Sequence, residues 1–188
     1  MKHSDELSAD DEDKPLVSSI LGGNRALYRV LVQKYERYVY GLGISFFHNA
    51  DDASDFTQDV FLQAYKKLYQ FEGKSRFSTW LYSIAWRTAV NRKERVKEYQ
   101  SIADCEYESE YDTPEEVSIK DAVRKAVREA VDELPEKYRI CIDMYFFYDR
   151  SYQEIEAITG FPVNTIKSHV FRAKKILKER LIDFVEDR

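Results

Sequence analysis

The sequence predicts an all-α protein built as two small helical domains joined by an acidic flexible linker. Apolar residues recur at intervals of three and four along most of the chain, and we find no convincing strand and no internal repeat. Glycine, proline and capping residues separate these stretches, and 188 residues with 44% hydrophobic side chains suffice for one or two small cores. The predicted boundaries are residues 1–14 for a disordered acidic tail, 15–95 for the first domain, 96–113 for the linker and 114–188 for the second domain.

The first domain is predicted to begin with a short helix and a long helix. Pro15 opens the short helix, and Gly22 with Gly23 closes it. Asn24 can cap the long helix, which ends near His48. Its core stripe repeats at helical spacing and comprises Leu27, Leu31, Tyr35, Tyr38, Leu42 and Phe46.

A third helix is predicted after a capping sequence. Asn49 or Asp51 can cap its first turn, where aspartates interact favourably with the helix dipole, and Gly73 ends it. Its apolar stripe comprises Phe56, Val60, Phe61, Ala64, Tyr65, Leu68 and Phe71.

The fourth helix combines aromatic rings with cations. Ser78 can cap it, and residues 74–95 hold six basic side chains against one acidic side chain. Its core stripe comprises Trp80, Leu81, Ile84, Ala85 and Thr88, and its other face comprises Tyr82, Ser83, Trp86, Arg87, Val90 and Asn91. Such a face suits unpaired nucleic acid, because cations hold phosphates and each ring that stacks on a base contributes about 1 to 3 kcal/mol. We assign Trp80 to the core and leave Trp86 open between the core and base stacking.

The second domain is predicted to start inside the acidic segment. Helical periodicity vanishes after Arg95, and Thr113, Pro114 and Glu116 then supply a cap, a proline at the first helical position and a capping-box glutamate. The helix that follows buries Val123, Val127, Ala130, Val131 and Leu134. Pro135 starts another helix, whose apolar positions are Tyr138, Ile142, Tyr145 and Phe146.

The C-terminal part of the chain predicts a helix-turn-helix. Ser151 and Glu154 stand at capping-box spacing, so the first helix starts near residue 152. Gly160 ends that helix in a left-handed conformation, and Pro162 forbids its continuation. The candidate caps of the second helix are Asn164 and Thr165.

The second helix of this motif has an apolar stripe and a cationic face. The stripe comprises Ile166, Val170, Ala173, Leu177 and Leu181. Residues 164–180 carry six basic side chains against one acidic side chain, which fits the major groove of duplex DNA but also fits a solvated surface helix in a bundle. Polar side chains at the helix start favour DNA, namely Lys167, Ser168 and His169. Glu156 is a misfit, because such motifs usually place alanine where the two helices approach closely.

Charge is divided unevenly along the chain. The net charge of −5 hides a basic first domain, since residues 15–95 carry 12 basic against 7 acidic side chains. Residues 96–118 carry 1 basic against 8 acidic side chains, so the acid is concentrated outside the predicted domains. A nucleic-acid partner is therefore compatible with the composition.

Composition and spacing also narrow the class of protein. Two cysteines argue against a disulfide scaffold, and no apolar run reaches the roughly 18 to 20 residues of a membrane span. Because the acidic N-terminus is unlike a signal peptide, we expect a soluble, cytoplasmic protein. The histidines and cysteines show no ligand spacing, so we expect no metal site, no cofactor and no enzyme activity. Cys105 could sense oxidants, but a lone cysteine is more often incidental.

Three sequence blocks together resemble a known family. They are DDASDFTQDVFLQAY at residues 51–65, FSTWLYSIAWRTAVNRKER at 77–95, and residues 134–177 with LPEKYR and NTIKSHVFRAKKIL. In this order and separation, residues 15–185 resemble the extracytoplasmic-function (ECF, group 4) sigma factors of the sigma-70 family, the promoter-specificity subunits of bacterial RNA polymerase. The resemblance implies a sigma-2-like first domain and a sigma-4-like second domain.

The resemblance also implies three contact surfaces. The minus-10 promoter element would be captured, with one base flipped out, by Lys74, Ser75, Arg76, Phe77, Trp86, Arg87 and Asn91. The minus-35 element would be read by Lys167, Ser168, His169, Phe171, Arg172 and Lys174. The β′ clamp of the polymerase would be contacted by Asp55, Gln58, Asp59 and Phe61. The implied partners are core RNA polymerase, through its β′ clamp and β flap, promoter DNA and an anti-sigma factor.

Two departures from the family limit what can be carried over. Arg87 stands where the family commonly has asparagine, and Asn91 where it commonly has aspartate, so the minus-10 sequence preference cannot be copied from relatives.

The acidic linker would pass through the polymerase channel, or would serve only as a solubilising tether. The competing function is a stand-alone helix-turn-helix DNA-binding transcriptional regulator that never joins the polymerase, which would leave the basic aromatic helix without a role.

Overall fold

The computed structural model describes residues 13–100 and 119–186, with side chains described for 13–94 and 126–182. The chain divides into two compact units, Met1–Tyr107 and Glu108–Arg188, and every regular element in the described residues is helical. This agrees with the predicted all-α class. The tail up to residue 12, the linker from residue 101 with Cys105, and the cap predicted at Thr113 lie outside the described residues.

In the described part of the first unit, four α-helices form a bundle, with short 3-10 helices at Arg25–Leu27 and Leu68–Gln70. The α-helices are α1 (Asp13–Leu21), α2 (Tyr28–Phe47), α3 (Ala50–Lys67) and α4 (Phe77–Gln100). His48 ends α2 in a left-handed conformation with φ 52°. The side chain of Asn49 caps α3, because its Oδ1 accepts hydrogen bonds from the backbone N–H groups of Asp51 (2.8 Å) and Asp52 (3.0 Å).

A glycine lets α2 and α3 pack closely. A Cβ atom added at Gly43 would lie 2.8 Å from Cδ1 of Phe56 and 3.1 Å from Cα of Ala53. Any larger residue would therefore push the two helices apart. This contact holds α3 against α2 and fixes which of its faces remains exposed.

The predicted core of the first unit is correct for most positions and wrong for a few. Tyr38 is 43% exposed and Val39 is fully buried in its place, because the buried stripe on α2 continues four residues after Tyr35 rather than three. Tyr65 is 39% exposed, and Tyr82 on α4 is 1% exposed although the sequence placed it on the outer face. α4 is covered on more than one side, so a single apolar stripe underestimates its buried surface.

The chain becomes helical earlier than the sequence predicted. Asp13, assigned to a disordered tail, is the first residue of α1 and is 1% exposed. Its carboxylate forms an ion pair with Lys34 (2.7 Å) and accepts a hydrogen bond from the hydroxyl of Tyr35. The prediction of disorder was wrong for Asp13 and Lys14, because these partners on α2 compensate a buried charge that looks solvent-seeking in the sequence.

α4 also continues further than predicted. It reaches Gln100, five residues beyond Arg95, where the sequence placed its end. The stretch Val-Lys-Glu-Tyr-Gln contains neither glycine nor proline, so nothing in it breaks a helix.

In the described part of the second unit, three helices pack against one long helix, and a π-helical turn lies between two of the three. The elements are α5 (Ile119–Asp132), α6 (Glu136–Ile142), the π-helical turn Asp143–Phe147, α7 (Tyr152–Thr159) and α8 (Val163–Glu186). The core side chains of α8 are Ile166, Val170 and Ala173, each at most 2% exposed, and those of α7 are Ile155 and Ile158. None of the described helices is long and apolar enough to span a membrane.

The π-helical turn changes which side chains after α6 face the core. The N–H of Tyr148 donates to the carbonyl of Asp143 (3.0 Å), a five-residue spacing that widens the turn and shifts the helical phase. Met144 is 1% exposed, whereas Phe146 is 53% exposed and Phe147 is 58% exposed. Phe146, one of the apolar positions predicted for the helix after Pro135, is therefore exposed and not part of the core.

Candidate nucleic-acid interface

The helix-turn-helix in the second unit has the predicted start and turn. The N–H of Glu154 donates to Oγ of Ser151 (3.2 Å), and the N–H of Ser151 donates back to Oε2 of Glu154 (3.0 Å). Gly160, with φ 77°, closes α7 by donating its N–H to the carbonyl of Glu156 (2.8 Å). The capping box and the left-handed glycine are both confirmed.

The start of α8 differs from the prediction. The helix begins at Val163, so Asn164 and Thr165 lie inside its first turn instead of capping it. The N–H of Val163 donates to Oε1 of Glu156 (3.1 Å), so a side chain from the preceding helix satisfies this group. Glu156, the misfit of the motif, is thus a direct link between α7 and α8.

One face of α8 is exposed and cationic. Lys167, Ser168, Arg172 and Lys174 are exposed, and Phe171 is 71% exposed. A shallow concavity on this face is lined by Lys167, Ser168, Phe171 and Arg172. The predicted minus-35 residues on this face therefore form one continuous surface.

His169 points toward the interior more than its neighbours do. Its ring packs against Tyr138, with ring centroids 5.3 Å apart, and its Nδ1 lies 3.6 Å from Sγ of the buried Cys141. Partial burial, followed by the charges of Lys137 and Arg172, lowers the pKa of His169 below its ordinary value. The imidazole is therefore mainly neutral at pH 7 and adds little charge for binding phosphate.

Aromatic rings hold the cations of α8 in place. The Nζ of Lys174 lies 4.8 Å from the ring centroid of Phe146, and the Nζ of Lys167 lies 6.0 Å from that of Tyr152. A guanidinium nitrogen of Arg172 donates to the hydroxyl of Tyr138 (3.3 Å), and this hydrogen bond lowers the pKa of Tyr138. Such contacts attract the cations to the ring faces, and this attraction favours particular conformations of long flexible side chains. The sequence missed this role, because Tyr138 and Phe146 looked like core residues.

The candidate minus-10 loop of the first unit lies between α3 and α4. Gly73 has φ 68°, and the exposed Lys74 forms an ion pair with Glu72. Ser75 is exposed and Arg76 is half-buried. These residues give the loop a cationic outer surface.

Phe77, predicted to contact DNA, lies instead beneath this loop. It is 1% exposed, and its ring centroid lies 5.6 Å from those of Phe71, Trp80 and Tyr35. A ring so enclosed offers no face to a base in this conformation, whereas the sequence predicted direct contact. The enclosing rings include Tyr35 on α2, a partner 42 residues away that the sequence could not indicate.

Trp86 has features of both alternatives that the sequence left open, a core residue and a residue that stacks on a base. Its ring is half-buried and packs edge-on against Phe46, with ring centroids 5.4 Å apart. Arg87 and Asn91, further along the outer face of α4, are exposed. Trp86 thus combines a core contact with partial access to solvent.

The candidate polymerase-binding stripe lies on α3. Asp55, Gln58 and Asp59 are exposed, but Phe61 is 7% exposed and its carbonyl accepts a hydrogen bond from the hydroxyl of Tyr28 (2.7 Å). Phe61 is a core residue in this structure, whereas the sequence predicted that it contacts the polymerase. Leu62, 58% exposed and three residues after Asp59, continues the stripe. Leu62 was not among the predicted contact residues, although it lies outside the apolar stripe predicted for this helix.

The described residues contain no cluster that could bind a metal, and their buried cysteine is unreactive. Within 13–100 and 119–186, no group of three or more histidine, cysteine or acidic side chains could hold a metal ion. Burial raises the pKa of the Cys141 thiol to about 12, which keeps it protonated and unreactive near neutral pH.

Family comparisons match both units. Residues 31–98 match the family described as sigma-70 region 2, and residues 124–177 match the family described as sigma-70 region 4. These spans contain the candidate minus-10 and polymerase-binding residues and the candidate minus-35 residues, respectively.

Whole-chain comparisons find relatives of similar length. The RNA polymerase sigma-H factor of Pseudomonas aeruginosa is 32% identical over 182 residues, covering 91% of this chain and 94% of that protein. The ECF RNA polymerase sigma-E factor of Escherichia coli is 32% identical over 180 residues, covering 90% of this chain and 94% of that protein.

Solved structures agree with the fold. The sigma factor RpoE of Bartonella quintana, solved with the anti-sigma factor NepR, has a TM-score of 0.70 and 26% identity over 82% of this chain and 96% of that one. CnrH, solved with the cytosolic domain of CnrY, has a TM-score of 0.64 and 20% identity over 91% of this chain and 97% of that one. The latter similarity concerns the fold alone.

Proposed function

The chain belongs to the sigma-70 family and is an RNA polymerase sigma factor of the ECF type, and from this premise we propose how its surfaces divide promoter recognition. The observation that carries the proposal is that matches to region 2 and region 4 occur in order along one chain, each containing an exposed cationic surface. We place the chain in group 4, the finer class that its sequence blocks resemble. A stand-alone regulator is not favoured, because it would need only the second unit.

The second unit reads the minus-35 element as duplex DNA. α8 enters the major groove with Lys167, Ser168, Phe171, Arg172 and Lys174, while His169 supports the face from within. The rings that hold Lys167 and Lys174 reduce the side-chain entropy that binding would otherwise cost. Base contacts by Arg172 then specify sequence, and the lysines position the helix on phosphates.

The first unit captures the minus-10 element as a single strand. Lys74, Ser75 and Arg76 approach the strand, and Trp86, Arg87 and Asn91 face it along α4. Phe77 supports the loop from below through its contacts with Phe71 and Trp80. Extruding one base costs a few kcal/mol of stacking, which ring and cation contacts offset, so opening is driven by binding and needs no catalytic residue.

The first unit also docks on core polymerase. Asp55, Gln58 and Asp59, with the exposed Leu62 as an apolar anchor, form a contact stripe for the β′ clamp. We extend the proposal to a β flap contact by the second unit and to an anti-sigma partner, as in the complex of the Bartonella quintana RpoE with NepR. A protein that works with RNA polymerase acts in the cytoplasm.

Run-off transcription tests the proposal. Purified bacterial core polymerase is supplied with or without the full chain on a pool of fragmented genomic DNA, and the transcript starts are sequenced. We expect new starts that share two upstream elements separated by a fixed distance. A mixture containing a charge-reversed chain, Asp55→Lys with Asp59→Lys, serves as a control for polymerase binding.

The outcomes separate the steps of the proposal. No new starts and no co-elution with core polymerase would contradict assembly with the polymerase. Co-elution without new starts would contradict promoter opening by the first unit. Wild-type activity of the charge-reversed chain would remove the α3 stripe from the polymerase contact.

A further inference from the structure

We propose that Glu156 is a positioning residue for promoter reading, which fixes the first turn of α8 and sets a negative charge beside its cationic face. The inference rests on the proposed function and deepens it, because it names a residue outside the base-reading set that would govern how strongly binding depends on sequence.

Glu156 accepts one hydrogen bond at the end of α7 and another at the start of α8. Its carbonyl accepts the N–H of Gly160 (2.8 Å) at the end of α7, and its Oε1 accepts the N–H of Val163 (3.1 Å) at the start of α8. The carbonyl contact is the backbone hydrogen bond that any residue would make here, so it is the side-chain hydrogen bond of Glu156 that ties the end of α7 to the first turn of α8.

The position explains why a glutamate is tolerated where alanine is usual. Glu156 is exposed, so its side chain does not enter the contact between the helices but leaves it and follows the turn outward. The two residues between Gly160 and α8 include Pro162, which has no N–H, so Val163 carries the first N–H that α8 can offer.

A carboxylate at this place stabilises α8 more than a neutral cap would. The N–H groups of a first helical turn carry partial positive charge, so a charged acceptor is attracted by the helix dipole and forms a stronger hydrogen bond. Lys167 lies one turn further along the same helix and belongs to the proposed DNA contact.

The same charge weakens attraction for DNA phosphates without touching bases. Attraction to phosphates is independent of sequence, whereas hydrogen bonds to base edges are not. Glu156 therefore has two separable effects. The hydrogen bond holds α8 in register with the bases, and the charge lowers the binding that occurs irrespective of sequence.

Three substitutions separate these effects. Glu156→Gln keeps an oxygen that can accept the N–H of Val163 but removes the charge. Glu156→Asp keeps the charge, but its side chain is one methylene shorter, so its carboxylate falls about 1.5 Å short of the N–H of Val163. Glu156→Ala removes both, and Glu179→Gln is the matched control, because it removes one negative charge from an exposed position on α8 away from the turn.

The first measurement needs neither polymerase nor DNA. Amide hydrogen exchange of Val163, followed by NMR on the full chain, should accelerate about three- to tenfold in Glu156→Asp and Glu156→Ala, as expected when a helix cap is lost. It should remain within about twofold of wild type in Glu156→Gln and in the control. Equal exchange in all variants would overturn the role of the hydrogen bond.

The second measurement uses reconstituted holoenzyme on two duplexes. One is the fragment with the strongest mapped start, and the other is the same fragment with its upstream element scrambled. The ratio of the two affinities should fall about three- to tenfold in Glu156→Asp and Glu156→Ala and stay near wild type in Glu156→Gln. Glu156→Gln should instead bind both fragments more tightly, by a similar factor for each.

The results distinguish failure of the positioning role from failure of the proposed function. An unchanged ratio in Glu156→Asp, with Val163 exchange accelerated, would reduce Glu156 to a local stabiliser and overturn the positioning role. A wild-type holoenzyme that does not distinguish the fragments would overturn the proposed function, whatever the exchange rates. Thermal unfolding of each variant identifies any chain whose binding defect is due to misfolding.

Discussion

The two units place their aromatic side chains in opposite relations to the cations near them. In the second unit, Phe146 and Phe171 are exposed, and Lys174 lies over the ring of Phe146. In the first unit, Phe77 is buried beneath a cationic loop and Trp86 is only half-exposed. The major groove of duplex DNA already has its shape, so a rigid and exposed helix face can bind it. An extruded base must be held in a pocket, so the loop that captures it needs packed side chains beneath it.

The largest expected effect tests whether Phe77 is a support rather than a contact. Phe77→Ala should destabilise the first unit by about 3 to 5 kcal/mol, because it leaves a cavity among buried rings. Both tryptophans lie in the first unit, so urea unfolding followed by tryptophan fluorescence reports on that unit. Tyr69→Ala, at a position 72% exposed, is the matched control and should change stability by less than about 0.5 kcal/mol. A Phe77→Ala effect as small as the control's would return Phe77 to the outer surface.

The next effect concerns the exposed face of the second unit. Arg172→Ala should weaken binding of holoenzyme to the upstream element by about 1 to 3 kcal/mol and reduce its salt dependence, because in our proposal this exposed guanidinium contacts DNA. Titrations at several salt concentrations measure both quantities. Lys178→Ala, an exposed cation further along α8, is the control. Unchanged affinity and salt slope would count against the assignment of this face.

Trp86 gives a smaller effect that sharpens the contrast within the first unit. Trp86→Ala should impair promoter opening more than formation of the closed complex, because the exposed part of the ring stacks on an unpaired base only after melting. Permanganate reactivity of thymines measures opening, and gel shifts on ice measure the closed complex. Equal loss in both would assign Trp86 entirely to its contact with Phe46.

The smallest effect concerns His169. Its pKa should lie below the usual value of about 6.5 in an NMR titration of the full chain, because partial burial disfavours the charged ring. The sign for stability follows from linkage. The unfolded chain binds this proton more readily, so the contribution of neutral His169 is present above about pH 6.5 and decreases as the pH falls. A titration midpoint at or above the usual value would mean that the ring is solvated like that of an exposed histidine.

Local rules made the helix-turn-helix predictable. A capping box, a left-handed glycine and a proline each act over four residues or fewer, so Ser151, Glu154 and Gly160 could be assigned from the sequence. The cationic face of α8 was equally accessible, because helical periodicity separates it from the buried stripe. By contrast, the cap of α8 could not be predicted, since its acceptor on Glu156 lies seven residues upstream.

Burial of individual side chains was harder to predict. Phe61 and Phe77 were assigned to contact surfaces because their blocks resemble a family, yet both are enclosed by neighbouring helices. Asp13 was placed in a disordered tail because it is acidic, but Lys34 and Tyr35 satisfy its carboxylate. In each case a partner lies on another helix at least 21 residues away in sequence, so composition gives no sign of it.

The sequence by itself determined the all-α class, the positions of most helices, the helix-turn-helix and the cationic helix faces, because hydrophobic spacing and capping act within single helices. Tertiary structure decided which aromatic rings are buried, that Leu62 extends the α3 stripe and that Phe146 holds Lys174. It also turned Glu156 from a misfit into a cap. These outcomes depend on packing between helices and on the phase shift of the π-helical turn, and neither is encoded in any short stretch of residues.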